Sequence, residues 1–272
     1  MKSIDINGVR LEVKNIAASP ANAERAALVF LHEGLGSIAM WRDWPEQLCA
    51  ATGRAGVVYS RRGYGLSDPV PDVRGAGRLR ADYLHDEAWT VLPALLREMK
   101  INKPVLVGHS DGGSIALLHA SRFEVAACVV MAPHVIVEDI SINAITAARE
   151  AFETGQLRAR LARYHADVDA AFWQWNDIWL SDEFRSFDIR HNCGSITAPL
   201  LAMQGFDDPY GSMRQIDDIA DALKETGRWV TENKRNQLHK LEHCGHSPHR
   251  DQREATTRLM ALFLNGLASA GE

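Results

Sequence analysis

The sequence predicts an α/β protein with a mostly parallel sheet and helices on both faces. Apolar, β-branched segments alternate along the chain with segments whose apolar residues recur at helical spacing, and this alternation is typical of βαβ units. One strand-like run ends in a glycine-rich turn and continues at once as a helix, VLVGHSDGGSIA at 105–116. The chain has 272 residues, of which 46% are apolar, so it can bury a large core.

The predicted elements follow one another in a regular order. Residues 4–13 predict a β-hairpin, because alternating runs flank Asn7-Gly8, a pair that adopts the positive φ angles of a tight turn. The further predicted strands cover 27–32, 55–60, 103–109, 125–133, 198–205 and 237–243. The predicted helices cover 41–51, 82–99, 110–121 and 212–226, and a last helix begins at Ser247-Pro248.

Residues 134–195 interrupt this alternation. The segment is too long for an ordinary connection, and it contains two helix-like stretches, AITAAREAFETGQLRARLARYH and DAAFWQWNDIWLSDEF. We therefore predict a helical cap at 134–195, inserted after the sixth strand and lying over the carboxyl edge of the sheet. Residues 1–133 and 196–272 would form the core domain.

Composition and charge exclude several classes of partner. The formal net charge is −5 and no basic run is present, so neither nucleic acid nor an anionic membrane is an expected partner. The stretch MKSIDINGVRLEVKN resembles no targeting peptide and no apolar run could span a bilayer, so we expect a cytoplasmic protein. The cysteines show no C-x-x-C spacing, which favours free thiols; they are Cys49, Cys128, Cys193 and Cys244.

A G-x-S-x-G pentapeptide, residues 108–112, lies between a predicted strand and a predicted helix. Such a turn lifts the serine oxygen clear of the backbone and directs the helix N-terminus at whatever binds there. An ordinary glycine-rich turn with a capping serine is the alternative interpretation. The context favours Ser110 as a nucleophile.

A serine nucleophile needs a base, and the base needs a third group that fixes its tautomer. In this architecture the expected order along the chain is serine, acid, histidine. The loop after the next-to-last predicted strand holds Asp207 and Asp208, and the loop after the last one holds His246. Because parallel strands end at one edge of a sheet, we expect these loops to converge on Ser110.

Five segments of the chain match the signatures of one family. They are LHEGLGS (31–37), SRRGYGLSD (60–68), GHSDGG (108–113), GFDDP (205–209) and CGHSP (244–248). In that order they resemble the oxyanion loop, the R-G-Y/F-G-x-S segment, the nucleophile elbow, the acid loop and the histidine loop of the cap-bearing α/β-hydrolases. That family includes esterases, thioesterases, proline iminopeptidases and C–C bond hydrolases. The resemblance covers nearly the whole chain and specifies no substrate.

The resemblance implies the catalytic roles. Ser110 would be the nucleophile, His246 the base and then the acid, and Asp208 the group that orients His246, with Asp207 as its rival. The oxyanion hole would consist of backbone N–H groups, those of Gly34 and Asp111.

The predicted substrate pocket contains Leu35, Asp111, Trp175 and Trp179. The two tryptophans share one helical face with Phe172. Such a face forms the core of a cap more often than the wall of a pocket, although it can do both.

Two acidic residues near the predicted oxyanion hole need separate explanations. Glu33 stands where the family commonly has glycine, so its carboxylate should turn away from the oxyanion, towards Arg61 or Arg62. Asp111 has two interpretations. In the first it caps the helix after Ser110 and complements the helix dipole; in the second it faces the pocket and binds a cationic group such as the ammonium of an aminoacyl ester.

The predicted function is that of a serine hydrolase that forms an acyl-enzyme on small or medium carboxylic esters. Its expected partner is a small ester-like molecule, with no cofactor and no metal, and its oligomeric state is not specified. Thioesterase, aminoacyl ester or amide hydrolase and C–C bond hydrolase are alternatives with the same triad. A ligand receptor on a hydrolase scaffold is an alternative from another class.

Overall fold

The computed structural model describes residues 2–19, 24–230 and 235–268. Within these residues eight strands form one sheet in the spatial order β1-β2-β4-β3-β5-β6-β7-β8. In chain order they are β1 (Lys2–Ile6), β2 (Val9–Ile16), β3 (Leu28–Leu31), β4 (Gly56–Tyr59), β5 (Val105–His109), β6 (Ala127–Met131), β7 (Leu200–Gly205) and β8 (Asn236–Leu241). The β1–β2 and β2–β4 pairs are antiparallel and the others parallel, which confirms the predicted fold class.

Helices connect most of these strands. They are α1 (Ile38–Trp41), α2 (Trp44–Thr52), α3 (Tyr83–Asp86), α4 (Leu92–Glu98), α5 (Asp111–Ala120), α6 (Asp139–Glu153), α7 (Gln156–Leu161), α8 (Val168–Trp179), α9 (Arg190–Cys193), α10 (Arg214–Glu225), α11 (Pro248–Asp251) and α12 (Arg253–Ala268). A π-helical stretch covers Glu87–Val91, and a 3-10 helix covers Glu183–Ser186. In the described part of the chain, none of these helices has the length and apolar character needed to cross a bilayer.

The sheet is covered on both faces, because alternate residues of its central strands enter two separate apolar clusters. In β3, Val29 and Leu31 belong to one cluster and Leu28 and Phe30 to the other. The first cluster includes side chains of α4, α5 and α10, and the second includes side chains of α2 and α12. Burial on both faces explains why these strands appear in the sequence as continuous apolar runs.

Three predicted helices are interrupted in the structure. The helix predicted at 41–51 is divided at Arg42, which has a φ of 57°. The helix predicted at 82–99 contains the π-helical stretch just before Pro93, since proline has no N–H for an α-helical hydrogen bond. The last helix is divided at Gln252, whose backbone is not helical (φ −133°, ψ 55°).

The insertion, residues 134–195, contains α6 to α9 and the 3-10 helix. Its two ends meet, because Ile136 forms a β-bridge with Asp188 and the Ile189 amide donates to the carbonyl of Val135 at 2.9 Å. The chain therefore leaves and re-enters the sheet at neighbouring points. The division into a core and a cap domain stays a prediction.

The turn between β5 and α5 depends on close backbone packing. Ser110 has φ 53° and ψ −121°, and such a conformation costs a non-glycine residue on the order of 1–3 kcal/mol. A Cβ atom on Gly112 would lie 2.0 Å from the carbonyl oxygen of Leu31 at the end of β3. A Cβ atom on Gly108 would lie 2.2 Å from the carbonyl oxygen of Gly112. The two glycines allow β3, β5 and α5 to meet at one point.

Gly112→Ala should therefore lower the free energy of unfolding by about 3 kcal/mol, because the backbone must move to accept the methyl group. The matched control is Gly266→Ala on α12, where a Cβ meets no described atom within 4 Å and alanine is the better helix former by about 1 kcal/mol. Denaturant unfolding of both variants checks this. Equal effects at the two positions would contradict the close approach of α5 to β3.

Candidate active site

The carboxyl ends of three strands bring the predicted catalytic residues to one edge of the sheet. Ser110 follows β5, Asp208 follows β7 and His246 follows β8. Asp208 is 5% exposed. Its two carboxylate oxygens lie 2.9 Å and 2.8 Å from Nδ1 of His246. The structure thus joins the predicted acid directly to the predicted base.

The surroundings of Asp208 favour its charged form. Burial raises the pKa of Asp208, but the hydrogen bond from His246 and the backbone amide of Tyr210 outweigh this effect, so the pKa lies below the ordinary 3.8. Gln204 Nε2 also donates to the carboxylate, at 2.7 Å. An ionised Asp208 requires a proton on Nδ1 of His246, which leaves Nε2 of that ring as the basic nitrogen.

A second histidine connects the His246 loop to the turn that carries Ser110. Nε2 of His109, the residue before Ser110, donates to the backbone carbonyl of His246 at 2.7 Å. The centroids of the two rings are 5.1 Å apart. Ser110 and His246 therefore lie in adjacent, hydrogen-bonded segments.

The rival acid, Asp207, has different surroundings. Its residue is exposed, and its backbone amide donates to the carbonyl of Cys244 at 2.9 Å. These are the surroundings of a turn residue, whereas Asp208 is buried against His246.

Two side chains that the sequence analysis did not single out flank His246. The ring centroid of Tyr210 lies 4.7 Å, and that of His134 5.8 Å, from the centroid of His246. Burial, together with the nearby His246, lowers the pKa of His134 to about 3, so this imidazole is neutral at physiological pH. The signal that could have identified His134 is its position directly after a predicted strand, at the edge where sites form.

The carboxylate of Asp111 lies inside the protein. Its side chain is 1% exposed and its Oδ2 lies 3.5 Å from a guanidinium nitrogen of Arg61; the hydroxyl of Tyr83 donates to the same oxygen at 2.7 Å. As the first residue of α5, Asp111 does place negative charge at the positive end of that helix. The cation beside Asp111 in this structure is Arg61, so the carboxylate already has a partner of opposite charge within the protein. The second interpretation, a pocket-facing carboxylate that binds a cationic substrate, stays a prediction.

The expectation that the Glu33 side chain turns towards Arg61 or Arg62 is wrong. Its Oε1 lies 3.0 Å from a guanidinium nitrogen of Arg250, and its Oε2 lies 3.5 Å from Nδ1 of His109. Arg61 instead donates to the backbone carbonyl of Glu33, at 2.9 Å. Burial raises the pKa of Glu33, but the contacts with His109 and Arg250 outweigh it, and the pKa lies well below the ordinary 4.5.

The other predicted pocket residues lie on α8 and in the loop after β3. Trp179 is 1% exposed and its indole N–H donates to the Tyr83 hydroxyl at 2.9 Å. The indole nitrogen of Trp175 would lie 2.2 Å from a Cβ on Gly34, so this ring contacts the predicted oxyanion loop. The carbonyl of Leu35 accepts a hydrogen bond from His165 at 3.0 Å. That these residues line a pocket stays a prediction.

A cavity of about 430 Å³ lies beside Arg61 and Tyr83. Glu87 and Gln174 also line it, whereas Ser110, Asp208 and His246 do not. The cavity is therefore a neighbour of the candidate site and does not contain the predicted nucleophile.

The sequence matches the model of a known family. The model of the alpha/beta hydrolase family matches residues 28–259, which is most of the chain. The chain therefore belongs to the alpha/beta hydrolase family, and the predicted resemblance is confirmed.

Solved structures share the fold at low sequence identity. A carboxylesterase of the thaumarchaeon Nitrososphaera gargenis is 18% identical with a TM-score of 0.73, over 99% of this chain and 100% of that one. The proline iminopeptidase of Mycobacterium smegmatis is 17% identical with a TM-score of 0.71, over 100% and 99% of the two chains. The enol-lactonase of Burkholderia xenovorans LB400 is 17% identical with a TM-score of 0.68, over 97% and 99%. No curated protein matches the sequence.

Glu33→Gln should lower the free energy of unfolding at pH 7 by about 1.5–3 kcal/mol, the range for a lost hydrogen bond to a charged group. Because the folded-state pKa of Glu33 lies below the unfolded value of 4.5, this stabilisation is fully present above pH 4.5 and is lost as the pH falls through the folded-state pKa. The difference in free energy of unfolding between wild type and Glu33→Gln should therefore become smaller at acid pH. Urea unfolding at pH 7 and below pH 4 measures it.

The control for this experiment is Glu153→Gln, at an exposed position at the end of α6. It should change stability by less than about 0.5 kcal/mol at either pH. If the loss of stability caused by Glu33→Gln did not depend on pH, the fold would not hold the Glu33 carboxylate in its charged form.

Proposed function

We propose that this protein is a serine hydrolase in which Ser110 attacks a carbonyl carbon and carries the acyl group as an ester. The observation that supports this most directly is the buried Asp208–His246 pair, which His109 connects to the turn at Ser110. Nε2 of His246 takes the hydroxyl proton as the bond from Oγ to the carbonyl carbon forms. It returns that proton to the leaving group as the scissile bond breaks.

The second half of the proposed reaction uses the same groups. Water attacks the acyl-serine, and Nε2 of His246 accepts a proton from that water. The bond between the acyl carbon and the serine oxygen breaks, the serine oxygen regains its proton from His246, and the carboxylic acid leaves.

The proposed oxyanion hole consists of the backbone N–H groups of Gly34 and Asp111. The ends of β3 and β5, which precede these two residues, are adjacent in the sheet, with Leu31 paired to Gly108. Donors that the fold fixes before the reaction can each lower the barrier by about 3 kcal/mol. The side chain of Glu33 makes its contacts with Arg250 and His109, and this supports a hole without an opposing carboxylate.

Small or medium carboxylic esters are the proposed substrates, with 134–195 as a cap over the site. Structurally similar proteins include a carboxylesterase, an enol-lactonase and a proline iminopeptidase, and a serine triad can serve esters, thioesters, amides and C–C bonds alike. The aminoacyl alternative loses the support of Asp111, whose carboxylate is paired with Arg61. Covalent labelling of Ser110 distinguishes the enzyme from the alternative function of a ligand receptor.

Ser110→Ala should reduce ester hydrolysis by about 10⁶-fold, since loss of a triad nucleophile has an effect of that size. Wild-type protein should react with a fluorophosphonate at Ser110, located by peptide mass spectrometry, and the variant should not. Ser121→Ala, just after the other end of α5, is the control and should react like wild type. Substantial hydrolysis by folded Ser110→Ala would reject the nucleophile, and ligand binding by an unlabelled wild type would favour the receptor.

Asp208→Asn should lower kcat by about 10⁴-fold, because His246 loses the carboxylate that fixes its tautomer. Asp207→Asn is the matched control and should change kcat by less than about threefold, because its residue is exposed and such surface positions have small effects. Steady-state kinetics on p-nitrophenyl esters of increasing chain length measure both variants and the acyl preference. A larger loss in Asp207→Asn would place the acid one residue earlier.

A further inference from the structure

One guanidinium group lies behind both halves of the proposed oxyanion hole. The Arg61 side chain is 6% exposed. Its NH2 donates to the backbone carbonyl of Glu33 at 2.9 Å, and its NH1 lies 3.5 Å from the carboxylate of Asp111. The Glu33 carbonyl belongs to the same peptide group as the N–H of Gly34, and Asp111 supplies the other proposed N–H. Arg61 thus contacts the peptide group that contains the Gly34 N–H and the side chain of Asp111, the residue that supplies the second N–H.

The Glu33–Gly34 peptide group has a second donor on its carbonyl. Nδ1 of His32 lies 2.7 Å from the Glu33 carbonyl oxygen, and Nε2 of the same ring accepts a hydrogen bond from the backbone amide of Arg61 at 3.0 Å. The ring is therefore the neutral tautomer with its proton on Nδ1, in agreement with a pKa that burial and the Arg61 charge hold well below 6.5. The backbone amide of Gly36 also donates to this carbonyl, at 2.9 Å. Three donors on one carbonyl fix the direction of the peptide group and polarise its N–H.

A chain of hydrogen bonds fixes Asp111, which supplies the second donor of the proposed oxyanion hole. The Tyr83 hydroxyl donates to the Asp111 carboxylate at 2.7 Å, and the indole N–H of Trp179 donates to that hydroxyl at 2.9 Å. Trp179 lies on α8 of the insertion. The position of Asp111 at the start of α5 is thus linked both to the oxyanion loop, through Arg61, and to the insertion, through Tyr83.

We infer that Arg61 is a positioning residue that sets the distance and direction of the two oxyanion donors by holding the Glu33 carbonyl and the Asp111 carboxylate at once. This inference rests on the proposed function, because it assigns no new chemistry to Arg61. The guanidinium suits the task, since its planar, separated N–H groups can bond two acceptors in a fixed geometry. The buried Asp111 charge in turn balances the buried Arg61 charge.

The test compares adjacent arginines. Arg61→Met keeps roughly the length of the side chain and removes its donors. Arg62→Met changes an exposed residue whose side chain donates to the Pro69 carbonyl at 3.4 Å. Arg61→Met should lower kcat and the rate of fluorophosphonate labelling by about 10²-fold, as expected for misplaced catalytic groups, with KM changed less than threefold. Arg62→Met should match wild type. Equal values of kcat for wild type and folded Arg61→Met would overturn the inference.

Arg61→Met leaves Asp111 as an uncompensated buried charge, which could prevent folding. The double variant Arg61→Met/Asp111→Asn removes both charges and keeps both backbone N–H groups. If Arg61 positions the Glu33–Gly34 peptide group, the double variant should fold and still react about 10²-fold more slowly than wild type. Recovery of the wild-type rate would show that Arg61 only balances the charge of Asp111, and would overturn the inference.

The labelling experiment also separates this inference from the proposed function. A wild type that takes no fluorophosphonate at Ser110 overturns both. A wild type labelled at Ser110, with Arg61→Met labelled at the same rate, overturns the role of Arg61 and leaves the nucleophile assignment standing.

Discussion

The sharp turn at Ser110 sets the position of the rest of the candidate site. Its backbone conformation, φ 53° and ψ −121°, is kept because Gly112 packs against the Leu31 carbonyl so closely that no side chain fits between them. This contact places the end of β5 beside the end of β3, and with it the loop that contains Gly34. The remaining loops reach the same edge because β6, β7 and β8 are parallel to β5. The strain of one residue is thus compensated by packing across the whole edge.

Charged groups behind this edge are paired, as buried charges must be if each is not to cost several kcal/mol. The pairs are Asp208–His246, Glu33–Arg250 and Asp111–Arg61. They are also connected, since His109 contacts both Glu33 and the carbonyl of His246. This network explains how the chain accommodates the buried carboxylate of Glu33 beside the proposed oxyanion hole. The carboxylate has a cationic partner, Arg250, on the histidine-loop side of the site.

Much of the fold and part of the site could be predicted from the sequence, because both depend on local patterns. The succession of strands along the chain, the turn at Ser110 and the loops of Asp208 and His246 follow from apolar runs, glycine positions and motif spacing. The partners of Glu33 and Asp111 could not be predicted in this way, because Arg250 and Tyr83 reach them only through tertiary packing. The breaks within helices could not be predicted from the sequence for a related reason. A residue such as Arg42 is an ordinary helix former, and its positive φ reflects packing rather than propensity.

The proposed mechanism requires two backbone donors that the fold holds ready for the oxyanion formed at Ser110. A crystal structure of the protein after reaction with a fluorophosphonate tests this directly, because the phosphonyl group on the serine imitates the tetrahedral intermediate. We expect one phosphonyl oxygen within about 2.7–3.1 Å of the backbone nitrogens of both Gly34 and Asp111, with Arg61 still hydrogen-bonded to the Glu33 carbonyl. An adduct whose oxygens bind neither N–H, or an adduct on another residue, would contradict it.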